Sequence, residues 1–218
     1  MIAKDVKIIE YPKKTERYNF LTHLLGAVLS LAAIVLMLLK ADTPRETACA
    51  LIYGATLFTV YTASTVYHGL KVSEMKRIAR IVDHSAVPLL IAGTTTPCAL
   101  ISLYNISPTH GTIVFLCGWL CALFGIFSKV FFFEKLKVVT MAVYIVCSLA
   151  MLLSAVPRLG ELNRGGFRWL VLGSVFYFSG AILCGLGSKK PSLHPIFHIF
   201  VILGSATHFY AIYCYILH

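Results

Sequence analysis

His194 and His198 stand four residues apart, with Pro195 between them, at the entrance of the last apolar segment of the chain. Helical spacing puts both imidazoles on one face, one turn apart, which is how a helix offers two ligands to one metal ion. A third imidazole, His68, would complete the ligand set of a catalytic zinc site. Such a site has three neutral histidines and one open position, where the pKa of a coordinated water falls toward about 7. Asp83 then suits a supporting place, orienting a histidine or taking the proton from that water. Ser64 precedes His68 by four residues and shares its face, about 6 Å farther along a helix. It could hydrogen-bond a ligand histidine or a substrate carbonyl. Whether these residues meet depends on the elements that carry them.

Those elements are membrane spans. Apolar side chains make up 58% of the 218 residues and charged ones 13%, and the mean hydropathy is +0.82, far from the range of a soluble domain. Seven stretches reach the roughly 20 residues needed to cross a bilayer. They run approximately over 20–39, 48–70, 82–104, 111–133, 138–156, 169–187 and 193–217. The spacing predicts an all-α, polytopic seven-transmembrane-helix bundle forming a single domain over 1–218. The first apolar stretch is too long for a signal-peptide core and has no small-residue cleavage site behind it, so it is expected to stay as the first span. The seven cysteines all lie within or at the ends of spans with no CxxC spacing, as expected of small packing residues.

The net charge of +10 is distributed by loop. The N-terminal tail (Lys4, Lys7, Lys13, Lys14, Arg17), the second loop (Lys71, Lys76, Arg77, Arg80), the fourth (Lys129, Lys135, Lys137) and the sixth (Lys189, Lys190) hold fourteen of the nineteen Lys and Arg. The positive-inside rule then places the N-terminus in the cytoplasm and the C-terminus outside. Alternating basic loops are topology determinants and contacts for anionic headgroups, which argues against nucleic acid as a partner and for membrane lipids.

With this orientation the ionisable residues of four spans fall at one depth, the inner leaflet. His68 closes span two, Asp83 lies in the first turn of span three, and His194 and His198 open span seven. Glu16, Asn19 and His23 stand at the head of span one. Scattered, individually tolerated histidines have no reason to share a level, and buried ionisable groups in a membrane are costly enough to mark function. Taken singly, each residue also has a plainer use: an interfacial hydrogen bond for His68, a helix N-cap for Asp83, a bond back to its own helix for Ser64. His208 returns to the face of His194 but roughly 21 Å along the helix, too far for the same ion; a buried hydrogen bond to another helix suits it.

The ordered set Glu16-x2-Asn19-x3-His23, Ser64-x3-His68, Asp83 and His194-x3-His198 resembles the haemolysin III-like branch of the progestin and adipoQ receptor family. Thr65 to His68, with Tyr67, and Gly204 to Tyr210, with His208, are similar to the same branch. The resemblance runs over essentially the full length. It implies a seven-helix protein of the cell membrane that binds zinc through His68, His194 and His198, with Asp83 and Ser64 completing the site. The wider superfamily is also similar to alkaline ceramidases, which implies a metal-dependent amide or lipid hydrolase ancestry, and the branch's name implies an association with cytolysis. The receptor members carry a longer cytoplasmic N-terminal region than the roughly nineteen residues before span one here, which favours the compact prokaryotic type.

Three functions remain open on these residues. One is a zinc hydrolase acting on an amide or ester of a membrane lipid. Another is a non-catalytic sensor or regulator of membrane state, with zinc tying spans two and seven together. The third, a cytolytic pore, fits worst, because a pore needs polar groups through the full thickness and the outer halves of the spans are apolar apart from His208.

Overall fold

Seven long helices account for nearly all of the computed structural model, which describes residues 6–158, 160–187, 190 and 192–218. Lys4 and Lys189 of the basic set lie outside the described residues. The helices are α1 (Lys13–Lys40), α2 (Pro44–Gly69), α3 (Glu74–Ile106), α4 (Pro108–Phe131), α5 (Lys137–Ser154), α6 (Arg164–Gly187) and α7 (Leu193–Tyr215). Each is long and apolar enough to cross a membrane. No strand occurs among the described residues.

Local chemistry sets the ends. Thr43 caps α2 in a reciprocal box with Glu46, behind which Pro44 occupies the first turn, where its missing N–H costs nothing. Ser73 accepts from the Lys76 N–H at the start of α3, and Ser107 from the His110 N–H at the start of α4. Pro195 sits in the first turn of α7, again where a helix tolerates proline. Pro97 lies inside α3 and is followed by a π-helical stretch, Cys98–Leu103, the widened turn by which a helix absorbs such an interruption.

Ser73 changes the reading of α3. The charged run Glu74–Ile81 is helical and not a loop, so Asp83 lies nearly three turns inside α3 and not in its first turn. The run is amphipathic: Lys76 and Arg80 are buried while Glu74 and Met75 are exposed. Hydropathy breaks at the charges; the backbone does not.

α1 packs on α2, α2 on α3, α3 on α4 and α4 on α5; α7 packs on α6 and α1. Close crossings put Gly26 of α1 against the Tyr61 ring and Gly173 of α6 against His208, positions where a Cβ would overlap the neighbour. The core is centred on α2, with Tyr53, Leu57 and Tyr61 nearly inaccessible. α5 and α6 share almost no contact with one another, and the inward faces of both stay half-exposed. Leucine-rich faces, such as Leu21, Leu25 and Val28 of α1, are exposed on the outside, as a lipid-facing surface is.

Candidate metal centre

The C-terminal end of α2 and the N-terminal ends of α1 and α7 meet at one end of the bundle. There His68, His194 and His198 each offer a nitrogen, and the three nitrogens lie within 4.8 Å of one another. His68 and His198 are buried and His194 is half-buried. The ring centres are 4.6 Å apart for His194 and His198, 5.2 Å for His68 and His198, and 5.4 Å for His68 and His194.

Hydrogen bonds fix which nitrogen is free in His68 and in His198. The Nδ1–H of His68 donates to Glu16 Oε2 at 2.6 Å, and its Nε2 is buried with no hydrogen-bond partner. The Thr22 hydroxyl donates to the backbone carbonyl of Tyr18 at 2.8 Å, so it accepts from His198 Nδ1 at 3.2 Å. That leaves the lone pair of His198 Nε2 bare. A carboxylate behind a histidine whose other nitrogen has no partner is the arrangement that orients metal ligands and raises their basicity. Three neutral nitrogen donors suit a borderline-soft divalent cation such as zinc, so the residues present fit the group.

A family model described as "Haemolysin-III related" matches residues 11–209, which include every residue of this cluster. The chain belongs to that family. Hemolysin-3 of Bacillus cereus is 33% identical over 220 residues, covering 100% of this chain and 98% of the relative. The Monocyte to macrophage differentiation factor of Homo sapiens is 27% identical, covering 91% of this chain and 83% of the relative. The Adiponectin receptor protein of Drosophila melanogaster is 23% identical, covering 91% of this chain and 50% of that protein. The family shared with the bacterial hemolysins and, more distantly, with receptor-type proteins is thus a membrane one.

Around this haemolysin-III-type cluster the supporting residues are arranged differently from expectation in two respects. The group that holds His68 is Glu16, not Asp83. Ser64 lies within electrostatic reach of the Asp83 carboxylate of α3 and makes no hydrogen bond to a ligand histidine among the described residues. Asn19 is fully buried, with its amide nitrogen 3.4 Å from His68 Nδ1. His23 lies one ring beyond the triad, its centre 3.9 Å from that of His198, with Nδ1 buried and lacking a partner among the described residues. His208 is remote from the cluster: its Nε2 donates to the Leu170 carbonyl of α6 at 2.9 Å.

Two residues escaped the sequence reading. Lys76, 2% exposed, donates to Glu16 Oε1 at 2.7 Å and to the Leu70 carbonyl at 3.0 Å, forming a buried relay Lys76–Glu16–His68. Tyr11 precedes α1 and lays its ring 4.9 Å from His194 and 5.9 Å from His68. Burial, with Tyr67 and Cys184 nearby, raises the pKa of its phenol, which therefore stays neutral. The segment before Tyr11 crosses the same end: Val6 packs on Ile81 and Phe133, and Arg80 donates to the Lys7 carbonyl. A sequence signal for Lys76 existed in its spacing from Arg80, one helical turn, once Ser73 is recognised as a cap.

Proposed function

We propose that this chain is a single seven-helix membrane domain, N-terminus cytoplasmic, that binds zinc through His68, His194 and His198 and hydrolyses an amide or ester of an inner-leaflet lipid. The observation that carries the reading is the His68 imidazole, with Nδ1–H tied to Glu16 and a buried, unpartnered Nε2 facing two further histidines. Zinc held there supplies Lewis acidity toward a carbonyl oxygen and lowers the pKa of water to about 7.

The residues divide the remaining work. Glu16 fixes the His68 tautomer, and Lys76 fixes Glu16. Asp83, with Ser64 beside it, is the carboxylate that takes a proton from the attacking water and returns it to the leaving group. Tyr11 covers His194, and the apolar walls of α2 and α7 exclude bulk water. The unpacked seam between α5 and α6 gives a lipid a lateral way in.

Metal analysis of the purified chain beside His68→Ala and His194→Ala tests the centre. Near-stoichiometric zinc is expected in the wild type and loss in both variants. A wild type without zinc under chelator-free conditions would sink the proposal. Stoichiometric zinc with no hydrolysis of any inner-leaflet lipid, ceramide-like amides included, would favour a structural metal that ties α2 to α7 in a sensor of membrane state.

A further inference from the structure

Beside the metal centre, three hydrogen-bond donors on three helices have no hydrogen-bond acceptor among the described residues. Arg80 of α3 is 3% exposed; its Nη1 serves the Lys7 carbonyl and Glu134 Oε1, while its Nε is buried and unpartnered. Lys129 of α4 is 5% exposed, with its ammonium over the Phe133 ring, Glu134 within electrostatic reach and no hydrogen bond to a described residue. Tyr67 of α2 is 3% exposed with its hydroxyl buried and unpartnered.

The three belong to one region. Arg80 and Lys129 both lie over the buried Phe133 ring, at 4.8 and 5.1 Å from its centre, so their charges are at most about 10 Å apart. A tetrahedral oxoanion hydrogen-bonded on both sides bridges about 8 Å. Tyr67 is within electrostatic reach of Arg80 and Asp83, and Lys129 within reach of Arg80 and of Cys184 on the far wall, α6. The charges facing the region are Arg80, Lys129 and Lys137 against Glu134 and Asp83, with the His84 ring packed edge-on against Phe133. Cations therefore outnumber carboxylates before any metal is added.

Guanidinium and ammonium nitrogens can only donate, and a buried donor such as Arg80 Nε left without an acceptor is disfavoured. The complementary ligand is one rich in acceptors and negatively charged. We propose that Tyr67, Arg80 and Lys129 bind the anionic oxo group, phosphate or carboxylate, of a membrane lipid. As the recognition of a substrate this rests on the hydrolase reading above; as a binding site it does not.

The test measures binding, not turnover. The full chain in neutral detergent micelles is titrated with dioleoylphosphatidylglycerol, oleate, dioleoylphosphatidylcholine and inorganic phosphate. Bound ligand is read by native mass spectrometry and unfolding temperature in parallel. The wild type is expected to bind phosphatidylglycerol or oleate at least tenfold more tightly than phosphatidylcholine. Lys129→Met should abolish that preference and, because it removes a cation crowded by Arg80 and Lys137, raise the unfolding temperature of the lipid-free protein. Arg80→Gln should weaken the preference, and Lys71→Gln, an exposed lysine at the same end, should keep it. His194→Ala should lose metal and keep the preference, which separates this site from the metal centre. A preference that survives Lys129→Met, one that vanishes with His194→Ala, or a lower unfolding temperature for lipid-free Lys129→Met would overturn the proposal. Inorganic phosphate matching the anionic lipids would assign the site to a free anion and overturn the lipid.

Discussion

Glu16→Gln is the substitution that interrogates the centre most directly. Glu16 Oε2 receives the Nδ1–H of His68 at 2.6 Å, with side chains 18% and 0% exposed, so the bond is short, charge-assisted and shielded. Removing a partner that stands behind a ligand histidine costs about 10–100-fold in metal affinity, or roughly 1.4–2.8 kcal/mol at 1.4 kcal/mol per decade. Glutamine keeps an acceptor oxygen but loses the charge, which places the expected loss near the lower end, about tenfold. The same change leaves the Lys76 ammonium, 3% exposed, with only the Leu70 carbonyl at 3.0 Å, so stability falls as well. Lys76→Met separates the effects: it removes the ion pair and leaves the His68–Glu16 bond. Competition of purified protein with a chromophoric chelator reads zinc affinity, and unfolding midpoints are followed in parallel. Glu16→Gln should bind zinc about tenfold more weakly while folded, and Lys76→Met close to wild type. Folded Glu16→Gln with wild-type affinity would refute the reasoning, as would an equal loss in Lys76→Met, because the effect would then belong to buried charge and not to imidazole orientation.

Other expectations follow from the same geometry. Asp83→Asn should retain zinc and lose lipid hydrolysis by about 10²–10⁴-fold, the usual weight of a general base, read by mass spectrometry of the released fatty acid; full activity would remove Asp83 from the chemistry. Ser205→Ala removes the partner of the Tyr61 and Tyr177 hydroxyls, both at 2.7 Å. Tyr61 falls back on the Val201 carbonyl at 3.3 Å, so one stranded phenol should cost about 1–3 kcal/mol in denaturant unfolding, without change in metal content. Single cysteines at the exposed positions Lys71 and Asn105, in a chain stripped of its seven native cysteines, test the orientation. A membrane-impermeant maleimide on intact cells should label Asn105→Cys and spare Lys71→Cys until permeabilisation; the reverse pattern would invert the topology.

The helix number and the triad were legible in the sequence because both depend on one-dimensional signals. Hydropathy counts spans, and the position of His68, His194 and His198 relative to span ends gives their depth whatever the helix rotation. Functions of individual polar residues were less legible because they depend on rotation and on contacts far apart in the chain. Glu16 and His68 are separated by 52 positions, and nothing local tells whether Glu16 or Asp83 faces Nδ1. Ser64 shared a face with His68, yet that face also meets α3, where the Asp83 carboxylate is within its electrostatic reach.

Charge was the most misleading signal. Lys76, Arg80 and Lys129 were counted as determinants of topology at the edges of loops, where hydropathy ends. All three are buried, at 2%, 3% and 5% exposed, Lys76 and Arg80 on the turns of α3 that precede its apolar stretch and Lys129 near the end of α4. Their position at the basic end and their burial are compatible, because long side chains can turn inward wherever an acceptor waits. Lys76 finds Glu16 and Arg80 finds Glu134; Lys129 lies over the face of Phe133, within electrostatic reach of Glu134. Three neutral histidines leave the charge of a bound dication undiminished, and Glu16 is already shared with a lysine. A metal at this centre therefore sits in a field that is positive on the α3–α4 side, which favours a substrate, product or lipid that brings its own negative charge.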